Sequence, residues 1–291
     1  MGCFLERSNA ICWQEEGEIL LVEAYGKECI RVRASRSLHI SDERWNILPA
    51  DNTASCIEKT GSSMRLSSGQ LSAVVEADGT VSFHKADGSL ILTEDWEDKR
   101  NNMSVLRRAR CYKTISSSVF SIDLYLRSSV DEDFYGLGGV PDGKLSRKGE
   151  EVELVHKNGY CPIPYVISSR GYGFIWNTPS TGRVSFSEKK THWHADAASQ
   201  IDIFVFIGDS PDEINRKLIE LTGKPSHMPD WALGFWQSRL RYECQDDVLA
   251  VAKRYREIGI PLSAIIIDYF HWPVQGTWEF DSRYWPDPDK M

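Results

Sequence analysis

Residues 231–272 decide the fold, with the sequence WALGFWQSRLRYECQDDVLAVAKRYREIGIPLSAIIIDYFHW. Apolar residues recur at helical spacing over 248–258, after Asp246 and Asp247 at the expected helix start, and Gly259 follows where a helix commonly ends. A short apolar run at 232–237 precedes this helix. A second run, 262–267, follows it and is rich in β-branched residues, which is typical of a parallel strand buried on both faces. The stretch therefore predicts a strand, a helix and a second strand parallel to the first.

Asp268 directly follows the second predicted strand, and Trp236 lies at the end of the first. A carboxylate after a parallel strand emerges at the carboxyl end of the sheet, where α/β proteins bind their ligands. A dinucleotide-binding sheet and an eight-stranded β/α barrel both begin this way. A dinucleotide site needs a glycine-rich first turn, whereas residues 237–242 are the bulky, polar QSRLRY. The sequence therefore favours the barrel.

Length and composition describe a globular chain that can bury one or two cores, with 291 residues, 41% of them apolar and 26% charged. A net charge of −8 without a long basic run argues against nucleic acid or an anionic membrane as a partner. No apolar run approaches the roughly 20 residues that span a bilayer, and the start MGCFLERSN does not resemble a signal peptide. Seven dispersed cysteines without a CxxC pair favour reduced thiols, so we predict a cytoplasmic protein.

The chain up to about residue 209 consists of short apolar or alternating runs separated by turn signals, among them Asp78-Gly79 between two alternating runs. Many short strands with almost no helix predict a large antiparallel β-sandwich. The predicted strands cover residues 18–22, 29–34, 70–76, 80–84, 120–127, 152–155, 165–168, 173–177, 183–186 and 201–208.

Ser210 and Glu213 form a capping-box pattern around Pro211, which predicts a helix that continues to about Thr222. The proline-bearing segment 224–230 then predicts a linker. We place the β-sandwich domain at 1–226 and the start of the barrel at 227–291. Because a complete barrel takes roughly 250 residues and only about 60 remain, we expect the chain to be the first part of a longer protein.

Aromatic side chains gather around Asp268, and flat aromatic faces beside a carboxylate suit a sugar ring, whose hydroxyls can donate to the acid. The alternative is that the aromatics form core and Asp268 caps the next element. The gathered residues are Trp236, Tyr269, Phe270, His271, Trp272 and Trp278.

Three other patterns contain residue types that occur in binding sites. His192 and His194 share one face if they lie on a strand, but no third metal ligand stands near them in sequence, so we interpret them as surface histidines. Residues 136–139 (GLGG) are interpreted as a turn because no helix pattern follows them. The acidic residues 131–133 are interpreted as a solvated loop. We predict no metal and no cofactor.

Three stretches resemble glycoside hydrolase family 31, the family of α-glucosidases and α-xylosidases. Residues 134–138 (FYGLG) resemble the (F/Y)YGLG turn of the family, although Gly139 and Val140 then depart from its usual pattern. Residues 164–177 (PYVISSRGYGFIWN) resemble its P-(F/Y)-x-x-S-x-(R/K)-G-Y-G strand pair. Residues 231–291 resemble the first two barrel strands and the segment that follows them.

This resemblance implies a retaining α-glycosidase with an N-terminal, galactose-mutarotase-like β-sandwich packed on a (β/α)8 barrel. It implies that Asp268 binds hydroxyls of the sugar in subsite −1, in a pocket shaped by Trp236, Phe270, His271, Trp272 and Trp278. The segments 268–272 and 278–281 look closest to α-xylosidase-like members. The aspartate nucleophile and the aspartate acid/base of the family lie on later strands, so we assign no catalytic residue here. The expected partner is an oligosaccharide or glycoside substrate, and homo-oligomer formation of the full-length protein is left open.

A different class of function is kept as the alternative. A β-sandwich with only the beginning of a barrel could serve as a non-catalytic carbohydrate-binding or interaction protein. An open reading frame that continues into further strand–helix units favours the enzyme, whereas a stop codon after Met291 favours the binding protein.

Overall fold

The structure, a computed structural model, describes residues 2–5, 9–37, 39–50, 54–99, 105–269 and 271–291. The chain divides into two compact units, Met1–Lys224 and Pro225–Met291. The first unit is nearly all β-structure, and the second combines two short strands with a helix. Among the described residues, no helix combines the length and apolar character needed to cross a bilayer.

Short strands with tight turns make up most of the first unit. Up to residue 107 they are β1 (Cys3–Leu5), β2 (Ala10–Glu15), β3 (Glu18–Ala24), β4 (Cys29–Ser35), β5 (Cys56–Thr60), β6 (Ser63–Ser68), β7 (Leu71–Val75), β8 (Val81–Lys85), β9 (Leu90–Thr93), β10 (Glu97–Lys99) and β11 (Val105–Arg107). The later strands are β12 (Arg110–Thr114), β13 (Phe120–Arg127), β14 (Phe134–Gly139), β15 (Glu151–Glu153), β16 (Cys161–Ser168), β17 (Tyr172–Trp176), β18 (Gly182–Phe186), β19 (Lys190–Ala198) and β20 (Ile201–Ile207).

These strands form an antiparallel β-sandwich, as predicted. In the described part of the chain, one sheet has the order β1-β2-β3-β4-β20-β17-β16-β14, and two five-stranded sheets have the orders β12-β13-β19-β18-β15 and β5-β6-β7-β8-β9. All three sheets contribute to one core, in which the indoles of Trp13, Trp176 and Trp193 are almost fully buried. Alternation along the strands separates this core from the outer faces. In β13, for example, Ile122 and Leu124 are buried while Asp123 is only partly covered.

Helix α1 (Pro211–Thr222) covers the outer face of the large sheet. The Ser210 hydroxyl accepts a hydrogen bond from the Glu213 N–H at 3.3 Å, and Gly223 follows the helix with φ of 95°. The start, the cap and the end agree with the prediction. Ile214 is buried against Phe204 and Phe206, which point away from the sandwich core because neighbouring residues of β20 alternate between its two faces.

The second unit is a strand–helix–strand unit with parallel strands, as predicted. It contains β21 (Trp236–Ser238), helix α2 (Gln245–Glu257) and β22 (Ala264–Ile266), with 3-10 turns at Asp230–Leu233 and Pro288–Lys290. Trp236 lies opposite Ala264 in the register of the pair. A small core joins α2 to β22 and to the end of the chain; its buried members are Tyr242, Val248 and Trp285, with Val251, Ile265 and Ile267 packed around them.

Two expectations for these strands are wrong. The first strand begins at Trp236, because residues 230–233 form a helical turn, so Trp236 opens the strand instead of ending it. The second strand is not buried on both faces. Ile265 faces the core with α2, whereas the next residue, Ile266, is 38% exposed, because α2 covers only one side of the pair.

Two loop interpretations in the sandwich are also wrong. Glu132 is 1% exposed, and its carboxylate accepts hydrogen bonds from the hydroxyls of Ser168 (2.5 Å) and Tyr172 (2.7 Å), so it is not part of a solvated loop. The glycine-rich segment is the strand Phe134–Gly139, with a register shift between Gly136 and Gly138. Its glycines permit positive φ inside a strand and a close approach to the neighbouring backbone.

Candidate functional site

The candidate site lies at the carboxyl end of the two parallel strands of the second unit. Asp268 is the second residue after β22, and its side chain is exposed. Within the described residues it takes part in none of the ion pairs or hydrogen bonds of the structure. A solvent-accessible carboxylate at the carboxyl end of a parallel strand can accept hydrogen bonds from a ligand.

A compact aromatic group follows Asp268. The His271 ring lies 4.5 Å from the ring of Trp272 and 5.3 Å from that of Phe280, and the ring of Tyr269 lies 6.4 Å from Trp272. The backbone supports this group, since the Asp281 N–H donates to the His271 carbonyl at 2.8 Å. The structure therefore brings Tyr269, His271 and Trp272 together in the segment that leaves β22.

The other predicted site residues are placed differently. Trp236 stacks on Trp231 with ring centroids 5.6 Å apart. It pairs with Ala264, which precedes Asp268 by four residues, so it lies at the opposite end of β22 from the segment that carries Asp268. Trp278 is fully exposed, and Phe270 lies outside the described residues. The membership of all six predicted residues in a sugar site, Asp268, His271 and Trp272 included, stays a prediction.

Asp281 holds the end of this segment in place. It is 8% exposed, and its carboxylate accepts hydrogen bonds from the Arg283 guanidinium, the shortest at 2.6 Å. The Arg283 hydrogen bonds hold the pKa of Asp281 below its usual range. The Asp281 carbonyl also accepts from the N–H groups of Tyr284 and Trp285. This arrangement gives Asp281 a structural role.

Three buried polar atoms of the second unit have no hydrogen-bond partner among the described residues. They are the hydroxyl of Tyr242, Nδ1 of His271 and Nε1 of Trp285. Leaving a buried polar group without a partner costs about 1–3 kcal/mol of folding free energy. The sequence did not single out Tyr242 or Trp285. Both are core residues, and an isolated aromatic residue in a loop-like segment carries no periodic signal.

A second polar cluster lies in the first unit, on the five-stranded sheet that contains β13 and β19. His192 and His194 do share one face of β19, and the structure adds Asp123 of β13 as a third group close to both. The sequence offered no third ligand because Asp123 precedes His192 by 69 residues. Strand register alone brings them together.

Both units match models of one enzyme family. Residues 20–184 match the "Glycosyl hydrolase 31 N-terminal galactose mutarotase-like domain", and residues 225–291 match the "Glycosyl hydrolases family 31 TIM-barrel domain". An antiparallel sandwich followed by a parallel strand–helix–strand unit is the architecture that these two descriptions require. The chain belongs to glycoside hydrolase family 31.

Individual relatives make the comparison more specific. The chain is 33% identical to a protein of Pseudescherichia vulneris described as "Uncharacterized family 31 glucosidase ORF2", over 100% of this chain and 58% of that protein. It is 37% identical to alpha-xylosidase A of Aspergillus niger over 59% of this chain and 24% of the relative. A crystal structure of a family 31 α-xylosidase from a soil metagenome, complexed with xylose, superposes with a TM-score of 0.93 at 36% identity. The superposition covers 99% of this chain and 44% of that protein. The chain thus spans about a quarter to just over half of the length of these relatives.

Proposed function

We propose that this chain is the N-terminal part of a retaining α-glycosidase that hydrolyses terminal α-xylosidic or α-glucosidic bonds. The observation that carries the proposal is the likeness to the xylose-bound α-xylosidase, which extends over 99% of the chain at 36% identity. Alpha-xylosidase A of Aspergillus niger, at 37% identity, supports the preference for xylosides.

In this proposal the chain supplies substrate-binding groups without the catalytic pair. Retaining hydrolysis needs two carboxyl groups about 5–5.5 Å apart, one as nucleophile and one as acid and then base. The two strands of the second unit present one carboxylate at their carboxyl ends, Asp268. We assign Asp268 to the sugar hydroxyls, and His271 and Trp272 to the wall of the pocket. We assign the nucleophile and the acid/base to barrel strands beyond residue 291.

The surface of the second unit supports the view that further barrel strands pack against it. Several of its large apolar side chains are at least 40% exposed, which exceeds what a small finished domain usually leaves in water. Among them are Trp231, Leu233, Phe235, Trp236, Leu240 and Trp278. The three unpartnered polar atoms named above also support this view, because further strands could supply their hydrogen-bond partners. We accordingly propose a sandwich domain over 1–226 and an incomplete barrel over 227–291.

None of the seven cysteines, all within the described residues, is in a disulfide. This supports our proposal of a reducing, cytoplasmic environment. The proposed partner of the full-length protein is a glycoside or oligosaccharide, and the proposed chemistry uses no cofactor.

Hydrolysis assays on two lengths of the protein test the proposed function. The 291-residue chain and a parent-length protein with the remaining barrel are purified and incubated with aryl α-xyloside and aryl α-glucoside. We expect turnover only by the longer protein, because an open pair of strands lacks both catalytic carboxyls and a water-excluded cavity.

Two outcomes contradict the proposal. Turnover by the 291-residue chain that disappears in Asp268→Ala would mean that the catalytic pair lies within this chain. A parent-length protein that binds xylose or glucose but hydrolyses neither glycoside would favour the non-catalytic, carbohydrate-binding alternative.

A further inference from the structure

The outer face of the sheet containing β13 and β19 carries a row of polar side chains. Thr191, Trp193 and Ala195 of β19 are buried in the sandwich, so His192 and His194 point to the opposite face. On β13, Asp123 lies directly opposite His194, and Tyr125 lies opposite His192. The register therefore sets one carboxylate beside two imidazoles on the same face.

The three side chains converge on one point. Oδ1 of Asp123 lies 2.7 Å from Nε2 of His192 and 2.7 Å from Nδ1 of His194. The side chains of Asp123, His192 and His194 are 27%, 21% and 12% exposed, so they are mostly covered but accessible to a small ion. Among the described residues, this is the only group of three or more His, Cys, Asp or Glu side chains with ligand atoms this close, within 4.8 Å of one another.

Neighbouring groups fix the orientation of both imidazoles. The ring of Tyr125 stacks on His192 at 4.3 Å with an interplanar angle of 6°. The other ring nitrogen of His194, Nε2, lies 3.3 Å from Oδ1 of Asp196. In this structure Nδ1 of His194 donates to Asp123; when a metal ion takes the place of that proton, the remaining ring proton lies on Nε2, on the side of Asp196. Outer carboxylates orient metal-binding histidines in this way.

We propose that Asp123, His192 and His194 form a binding site for a divalent transition-metal ion of the zinc class. Two imidazole nitrogens and one carboxylate oxygen are ligands that zinc accepts, whereas calcium and magnesium prefer oxygen ligands throughout. The carboxylates of Asp123 and Asp196 supply negative charge that favours a dication. The partial exposure leaves room for water to complete the coordination.

Metal binding requires the side chains to adjust. Bonds of about 2.0–2.1 Å at tetrahedral angles separate ligand atoms by about 3.3 Å, so each 2.7 Å contact opens by about 0.6 Å, and the two imidazole nitrogens, which lie within 4.8 Å of each other, take the same separation. Rotation of the side chains can supply this movement without a change in the strands. The bound ion would connect β13 to β19 and so stabilise the folded state.

Zinc titration of the purified 291-residue chain tests the proposal. After treatment with a chelator and its removal, zinc is titrated against a chromophoric competitor. We expect the wild-type chain to bind one zinc ion more than the double variant His192→Gln/His194→Gln. The matched control is His156→Gln, which removes an exposed histidine outside the cluster and should bind as the wild type does. Zinc should raise the Tm of the wild type and of this control but not that of the double variant.

Cysteine thiolates are the main competing ligands, and cobalt distinguishes them. Co²⁺ bound to nitrogen and oxygen ligands shows d–d bands without the charge-transfer band of a thiolate. If the double variant does not fold, the same zinc titration is made on Asp123→Asn. We expect this variant to lose at least about tenfold in zinc affinity. Equal zinc binding by the wild type and these variants, or a thiolate band as the only cobalt signal, overturns the proposal. The three side chains then form a hydrogen-bonded cluster only.

Discussion

Asp268 is the residue on which the proposed sugar site depends. Its carboxylate is exposed and follows a parallel strand, so it can accept hydrogen bonds from a ligand without first breaking contacts of its own among the described residues. The aromatic rings of Tyr269, His271 and Trp272 lie in the segment that leaves the same strand. A binding role for Asp268 predicts a loss of activity on mutation that other exposed aspartates do not share.

In the parent-length protein we expect Asp268→Asn to lower kcat/KM, because a charged acceptor for sugar hydroxyls is lost, a change worth about 1.5–3 kcal/mol. The loss should be larger for an aryl α-glucoside than for an aryl α-xyloside if the carboxylate also reaches O6, which xylose lacks. Asp289→Asn makes the same charge change at another exposed position and serves as the control. Kinetics for Asp268→Asn equal to those of the control would remove Asp268 from the site.

Asp281 should make the end of the chain sensitive to acid. The Arg283 hydrogen bonds lower its pKa in the folded state, so the unfolded state binds the proton more readily. Stability from this contact is therefore present above about pH 4 and is lost as the pH falls through the lowered pKa. Hydrogen exchange of the peptide that contains Tyr284 and Trp285 measures it. Asp281→Asn should weaken protection at pH 6, and its difference from wild type should become smaller as the pH is lowered to 3.

Arg283→Gln removes the same ion pair from the other side and should behave as Asp281→Asn does. A difference between wild type and Asp281→Asn that is as large at pH 3 as at pH 6 would show that the charge of Asp281 is not what holds this turn.

At the scale of elements, strand β14 is the least regular part of the sandwich. Gly138 has φ of +70°, and a Cβ built there lies 2.5 Å from the carbonyl oxygen of Cys161 and 2.7 Å from the backbone nitrogen of Ile163. Gly143 lies in the following turn with nearly the same φ, +71°, and a Cβ there meets nothing within 4 Å. Alanine substitutions at Gly138 and Gly143 therefore separate the cost of an unfavourable φ from the cost of a steric clash.

We expect Gly143→Ala to lower the free energy of unfolding by about 1–2 kcal/mol, the cost of a left-handed backbone for a residue with a side chain. Gly138→Ala adds a clash with two backbone atoms that cannot move independently. It should therefore lower the free energy of unfolding by at least twice as much as Gly143→Ala. Urea unfolding of both variants provides the comparison. Equal losses would mean that β14 can shift away from β16 at little cost.

At the scale of the whole molecule, an exposed segment connects the two compact units. Residues 224–229 have no regular structure, and each of them is exposed. The first unit has a core shared by three sheets, whereas the second has a core of three buried residues. The two units should therefore differ in resistance to local unfolding.

Limited proteolysis with a broad-specificity protease should cut first within residues 224–230, and the released second unit should then be degraded faster than the sandwich. Trypsin is less suitable because Pro225 follows Lys224 and blocks cleavage there. Mass spectrometry of the first stable product should give a fragment that ends near residue 224. Equal persistence of both units would contradict this expectation.

Local signals in the sequence were sufficient for the elements that depend on neighbours along the chain. The bounds of β13 follow from its strict alternation, and those of α1 follow from Ser210, Pro211 and Gly223. The strand–helix–strand pattern of the second unit and its family likewise follow from spacing and motif. The individual helices and strands rest on interactions within about ten residues, which a linear pattern records directly.

Tertiary structure alone decided the features that depend on register and on burial by distant segments. The sequence predicts a solvated Glu132, but its carboxylate accepts hydrogen bonds from the hydroxyls of Ser168 and Tyr172, which lie 36 and 40 residues further along the chain. The glycines of β14 predicted a turn, but pairing with β16 makes the segment a strand. Asp123 joined His192 and His194 only through the alignment of β13 with β19. Hydrogen-bond pairing between strands acts across any sequence separation, so no local pattern carries that information.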